Sequence, residues 1–337
     1  MCVAGTINAI RLLCAACVSA LVLLWVAGYA GAGGKRGYIW LGTGGPAGTY
    51  YSVGNVLCDL VNGNSRPIGG PDGMQLFCTN APSGGSTYNL RQISIGAFTF
   101  ALTQSDAQYF SHQGSRPNIV APFKGLRSVA SLYPEPVQLV VSKDSGIEKF
   151  SDIRDKRINI GNRGSGTRAM MTSIMRAYGI KVGDLAKATG LTSKEYSQAL
   201  CNGRIDGFVA VTTFPTAAIA HTIERCGARL ISLDSEIEAE MVASFPFYEV
   251  ITIPAGSYPN VDKDISTIGV VATIVTSRRV DADAVYEFTR AIMENADALR
   301  ARTPVPIFKD PLQMTRKGLS APLHPGAVRY YIERGWL

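Results

Sequence analysis

The chain has 337 residues, 46% of them hydrophobic, with Lys+Arg 33 against Asp+Glu 26 and a formal net charge of +7. That apolar fraction excludes a disordered chain, and the length suggests about two domains, each able to bury a core without metals. The longest basic runs are pairs, such as Lys35-Arg36 and Arg278-Arg279. The charge therefore forms no stripe along which nucleic acid could lie, and no nucleic-acid partner is expected.

Residues 1–32 carry one cation, Arg11, then a nearly unbroken apolar stretch of 17 residues from Leu12 to Gly28, then Ala30-Gly31-Ala32. That order reads as a cleaved secretory signal peptide and places the remainder outside the cytoplasm. An uncleaved membrane anchor is the alternative, because the stretch sits at the lower limit for spanning. Cleavage after Ala32 leaves 32 basic and 26 acidic residues, a net charge of +6, and removes Cys2, Cys14 and Cys17. Cys58, Cys78, Cys201 and Cys226 remain. An even number in an oxidising compartment implies disulfides, with three connectivities open. Pairing of sequence neighbours, Cys58–Cys78 and Cys201–Cys226, is the simplest, and four buried thiols are the alternative. Among these four no C-x-x-C occurs, and the one histidine near any of them, His221 five residues before Cys226, forms no cluster with His112 or His324, so no metal site is expected.

Tyr38 to Thr43 reads as a strand entering the glycine-rich turn Gly42 to Tyr51. Val53, Val56, Leu57, Leu60 and Val61 then fall at helical spacing. Ser86 is the expected N-cap of a second helix near Leu90. Phe98 to Thr103 is an apolar strand ending at Gln104-Ser105-Asp106. Val129–Leu132 and Val137–Val141 read as two strands around Tyr133-Pro134-Glu135-Pro136, where the prolines keep the chain extended. A second block repeats the theme: strand Arg157–Ile160, polar glycine turn Gly161–Thr167, helix Arg168–Tyr178, helix Glu195–Leu200, and buried strand Gly207–Val211. Thr212-Thr213-Phe214-Pro215 leads into another helix. A strand over Ile268–Thr276 and a helix from Asp281 to about Leu299 follow. Strands alternating with helices predict an α/β protein with largely parallel sheets.

The turn Gly42 to Gly48 approaches a dinucleotide fingerprint, but its third glycine falls one residue late. Glycine there either lets the backbone approach a ligand ahead of a helix N-terminus or serves turn geometry alone. Gly164-Ser165-Gly166-Thr167 has no lysine after the glycine and so is not a phosphate-binding Walker loop. Its hydroxyls, helix start and flanking Arg163 and Arg168 suit a carboxylate; a capped helix with solvated arginines is the plainer alternative. The chain has no G-x-S-x-G, no H-E-x-x-H and no suggestive carboxylate pair. No enzyme activity and no cofactor are expected; a binding protein fits better.

Gly42-Thr43-Gly44-Gly45 with Gly48-Thr49-Tyr50-Tyr51 resembles the opening motif of the TAXI-type solute receptors of TRAP transporters. Ala101 to Asp106, Tyr133 to Pro136, Asn159 to Thr167, Ile205-Asp206-Gly207 and Ala321 to Ala327 resemble further segments of that family, in order, across Tyr38 to Leu337. The resemblance implies a type II-like, two-lobed periplasmic binding protein fold: each lobe a mixed sheet flanked by helices, with a ligand cleft between. Residues 38–132 plus 254–337 would form lobe one and 137–250 lobe two, with 133–136 and 251–254 as hinges. It also implies capture of a small anionic solute, such as glutamate, a dicarboxylate or a 2-oxo acid, and delivery to the membrane permease subunits of a TRAP transporter. A sensor feeding a membrane signalling partner is the alternative. The implied ligand shell comprises Thr43, Gly48, Thr49 and Tyr50, then Ser86 and Gln104, then Ser165, Gly166 and Thr167, then Thr213 and Phe214. Thr213 replaces an expected glycine, and Thr99 an expected aspartate supporting Gln104.

Overall fold

A computed structural model describes residues 36–64, 75–114 and 122–337; the expected leader at 1–32 lies outside them. β1 (Arg36–Gly42) leads through the glycine turn into α1 (Thr49–Asn64), followed by β2 (Gln75–Ala81), α2 (Ser86–Ile95), β3 (Phe100–Gln104) and α3 (Ser105–Gln113). The long strand β4 (Leu126–Val141) then carries the chain into a second group. That group runs β5 (Arg157–Asn159), α4 (Gly166–Ala177), β6 (Lys187–Thr189), α5 (Tyr196–Cys201), β7 (Gly207–Val211), α6 (Ala217–Cys226), β8 (Arg229–Ile231), α7 (Ser235–Ser244) and β9 (Glu249–Ile253). β10 (Ile265–Ser277) returns, and α8 (Ala282–Glu294), α9 (Ala296–Arg302), α10 (Pro311–Arg316) and α11 (Pro325–Glu333) complete the chain. None of the described helices is long and apolar enough to cross a membrane.

The strands follow the order β2-β1-β3-β10-β4-β7-β5-β6, with β8 beside β4 and β9 beside β10. β1 is parallel to β3, and β5 to β6 and β7. β10, however, runs antiparallel to β3, β4 and β9, and β4 antiparallel to β7 and β8. Local alternation of strand and helix predicts parallel pairing, but a strand returning late between β3 and β4 makes the sheet mixed. β4 is also one strand, where two are expected. It pairs with β10 up to Pro136↔Gly269 and with β7 from Val137↔Val211. Pro136 turns its carbonyl to Thr212 N at 3.3 Å. The side lacking proline N–H donors thus faces away from β10, and the ladder to β10 loses nothing.

Two lobes meet along this crossing. In the second, Met170, Met171, Ile174 and Met175 form one stripe of α4 and pack on Ile158, Leu139 and Val209. On the other face Tyr196, Leu200, Ile219 and Ile223 cover Phe208 and Val140. Tyr258 and Val261 belong to that same cluster, and the Tyr258 hydroxyl donates to Gln138 Oε1 at 2.6 Å. The segment just after Pro254, assigned to lobe one by the sequence reading, therefore packs in lobe two, and the return crossing is made by β10. In the first lobe α1 buries Val53, Val56, Leu57, Leu60 and Val61, as their spacing predicts. Phe288 of α8 stacks on Phe100 at 3.9 Å. Asp281 caps α8 by accepting from the amides of Asp283 and Ala284; the helix ends at Glu294, and α9 starts afresh.

Each lobe carries one disulfide, and both join sequence neighbours. Cys58 on α1 bonds Cys78 on β2, with Cα atoms 4.9 Å apart. Cys201 and Cys226, at the ends of α5 and α6, bond with Cα atoms 5.3 Å apart. Both Cα spacings lie in the ordinary range for disulfides.

Candidate functional site

A cavity of about 350 Å³ lies between the lobes. Four helices of ten or more residues begin on its wall: α1 at Thr49 and Tyr50, α2 at Ser86, α4 at Gly166 and Thr167, and α6 at Ala217 and Ala218. None of the four has an acidic residue in its first turn. The N–H groups left over in their first turns and their positive dipole ends therefore act on the cavity without a carboxylate of their own to offset them. Among the described residues no lysine, arginine or histidine lines it.

Buried side chains pin the loops that bear these helix starts. Asn89 of α2 donates to the carbonyls of Thr43 (2.7 Å) and Leu102 (2.8 Å), fixing the first glycine turn against β3. Asn159 at the end of β5 accepts from Leu191 N at 2.7 Å and holds the 189–193 loop over the cavity. Gln138 donates to the carbonyls of Thr212 and Thr213 at 3.1 and 3.2 Å, setting the turn before α6.

The lobes touch across the mouth of the cavity. The hydroxyls of Thr49 and Thr212 share a 2.9 Å hydrogen bond. Asn162 Nδ2 donates to Gly84 O at 3.0 Å, and Tyr88 N donates to Gly164 O at 3.0 Å. Glycine makes this approach feasible. Gly85 adopts a φ of +102° with its Cβ position 3.2 Å from Ser165 Cα, and a Cβ on Gly166 would overlap Oε1 of Gln104 from the opposite lobe.

Glu135, on β4 at the crossing, is 2% exposed and is the only carboxylate on the cavity wall among the described residues. Tyr50 donates its hydroxyl to Glu135 Oε2 at 2.7 Å. Burial pushes the Glu135 carboxyl up to about 8, with the Tyr50 hydrogen bond opposing and nearby Asp106 reinforcing the shift. Burial, then Glu135 itself, hold the Tyr50 phenol well above its usual value, so it remains a donor. Gln104 Oε1, Thr213 Oγ1 and Thr216 Oγ1 are buried on this wall without protein partners.

The structure brings Gly48, Thr49, Tyr50, Ser86, Gln104, Ser165, Gly166, Thr167 and Thr213 to one cavity. Two expected residues do not join them. Thr43 is fully buried, its hydroxyl directed at Asn80 Oδ1 (2.7 Å) and Ala81 O (3.0 Å), so it braces the turn from behind. Phe214 packs with the second lobe's core. Ser86 does not cap α2 either: Gly85 holds the cap position, and Ser86 Oγ accepts from Gln104 N at 3.1 Å. Ser165 does cap α4, accepting from Arg168 N. Arg168 spends its guanidinium on Gly161 O at 3.0 Å, and neither it nor Arg163 lines the cavity. Thr99 bonds Trp40 and Thr276 before β3 begins, remote from any role in supporting Gln104. Glu135, Asn159, Asn162 and Thr212 are wall residues that the ligand-shell expectation missed. The Pro-Glu-Pro placement of Glu135 was the one signal available for it.

Two α/β lobes joined by crossing strands, with a polar cavity at the junction, are the architecture of periplasmic solute-binding proteins. The chain belongs to the NMT1-like family, whose pattern matches residues 41–335. Among solved structures, a Bordetella bronchiseptica RB50 protein aligns with a TM-score of 0.56 at 13% identity, over 88% of this chain and 98% of that one. A Xanthomonas citri protein bound to ATP aligns with a TM-score of 0.51 at 11% identity, over 88% and 94%. The alkanesulfonate-binding protein SsuA from Xanthomonas axonopodis pv. citri, bound to MOPS, gives 0.46 at 13% identity, over 80% and 78%. At such identities the likeness is one of fold.

Proposed function

We propose that the protein is an extracytoplasmic solute receptor that captures a small anion, such as glutamate, a dicarboxylate or a 2-oxo acid, and hands it to a TRAP-type secondary transporter. The observation carrying the ligand class is the convergence of four helix N-termini, none offset by an acid in its first turn, on one cavity. Such a site stabilises negative charge without needing an arginine. The cavity's volume fits a small molecule enclosed by two lobes, and hinge closure is the motion that would enclose it. The TRAP assignment rests on the ordered TAXI-like motifs from Gly42 to Ala327.

Thermal melting of the purified protein against glutamate, glutamine, succinate, 2-oxoglutarate and a neutral sugar tests this reading. A bound solute at a hundred times its Kd stabilises by about 2.7 kcal/mol. Shifts with the carboxylates and none with the sugar are expected. The reverse pattern refutes the ligand class, and uptake that depends on an ATPase rather than an ion gradient refutes the transporter.

A further inference from the structure

The cavity wall contains a carboxyl group whose charge would oppose the solute just proposed. Glu135 is nearly fully buried and lines the cavity where β4 crosses from lobe to lobe. The groups facing it come from every neighbouring element. α1 supplies the Tyr50 hydroxyl at 2.7 Å, the end of β3 supplies the Gln104 amide, and the start of α3 supplies Asp106. Its own strand supplies Tyr133, and on β10 its register partner is the apolar Val270. Among the described residues no cationic side chain lines the cavity to neutralise an ionised Glu135. A carboxylate there would repel an anion in a poorly screened space, whereas a carboxylic acid carries an O–H that an anion accepts.

We propose that Glu135 meets the solute as a carboxylic acid, donating its hydrogen bond to an oxygen of the bound anion, so that the receptor binds solute and one proton as a unit. The inference rests on the anionic-solute reading. It also makes Glu135 a specificity determinant. A ligand presenting an acceptor to this wall is held, whereas one presenting only a cation there must first drive the proton out. Burial pushes the carboxyl up to about 8, and a neighbouring anion raises it further.

Isothermal calorimetry with 2-oxoglutarate and L-glutamate, from pH 6 to pH 9 in two buffers of different ionisation enthalpy, tests it on the full chain. Affinity is expected to stay level from pH 6 to 7 and to fall about tenfold by pH 9. Proton uptake should rise from none at pH 6 to about one per solute at pH 9. Glu135→Gln, which cannot ionise, should lose the fall in affinity between pH 7 and pH 9 and the proton uptake, whatever its affinity at pH 6. Binding with no proton uptake at pH 9, or an unchanged slope in Glu135→Gln, overturns the role of Glu135 and leaves the receptor reading standing. No binding of either probe at any pH overturns the anionic-solute reading, and this inference with it.

Discussion

Replacing Gly166 by alanine places a methyl group where Oε1 of Gln104 sits in the opposite lobe, with Ser86 Oγ close beside it. Gln104 Oε1 ends a flexible side chain on the cavity wall, so relief comes either from swinging it into the solute's space or, where Ser86 blocks that, from parting the lobes; both lower affinity. Parting them breaks the Thr49–Thr212, Asn162–Gly84 and Tyr88–Gly164 hydrogen bonds. At about 0.5–1.5 kcal/mol each, and with water recovering part in the open form, closure loses about 2–3 kcal/mol. If solute binds only the closed form, affinity falls about 30- to 150-fold. Each lobe's own core is untouched, so the melting temperature of the unliganded protein should change little. Calorimetry measures the affinity, and small-angle scattering with and without solute measures closure. Gly183→Ala is the control, since nothing lies within 4 Å of a Cβ at that position. Wild-type affinity and wild-type compaction in Gly166→Ala would refute the account of the lobe contact.

Three further outcomes are expected. Glu135 has a carboxyl raised by burial, so the native state holds its proton longer than the unfolded chain, and ionising it costs stability progressively from about pH 4.5 to about pH 8. Glu135→Gln should accordingly melt higher than wild type, with a gap that widens across that window and levels off above it; parallel melting curves would contradict the burial argument. Asp206 runs the opposite way. Hydrogen bonds from Arg157 hold its carboxyl below the usual range, so its contribution is present at neutral pH and is lost as pH falls below about 4. Asp206→Asn should lose about 1–2 kcal/mol at pH 7 and show a shallower acid limb in urea titrations, and an unchanged limb counts against the pair. Removing the Cys58–Cys78 bridge, which spans 20 residues, by double alanine substitution should lower stability by about 3 kcal/mol. An unchanged denaturation midpoint would show that the bridge contributes nothing.

Much of this molecule follows from local rules. The α1 stripe, the β7 run and the Ser165 cap are set by spacing and by side-chain chemistry within a few residues. Gathering of the two glycine turns around one cavity follows from placing each at the end of a strand. What escaped the sequence depends on partners far along the chain. Thr43 turns inward because Asn80 and Ala81 wait 37 and 38 residues later. Arg168 turns to its own glycine loop, and no local pattern distinguishes that from a ligand contact. Adjacent residues on a strand point to opposite faces, so Glu135 between two prolines could face either way until β10 and α1 fix which face is the cavity. The mixed pairing is likewise a property of β10, which lies more than 120 residues beyond β4.

That late strand also dictates an order of assembly. In the sheet β10 lies between β3 and β4, so those strands cannot be joined until residues 265–277 have emerged. The intervening lobe is nearly contiguous, with its own bridge between Cys201 and Cys226, and its main hydrophobic cluster borrows only Phe110, Ile268 and Val270 from outside it. A chain emerging N-terminus first would therefore assemble most of the inserted lobe while β1, β2 and β3 still wait with an open edge. In the interval that unfinished lobe is the part most in need of shielding from other chains.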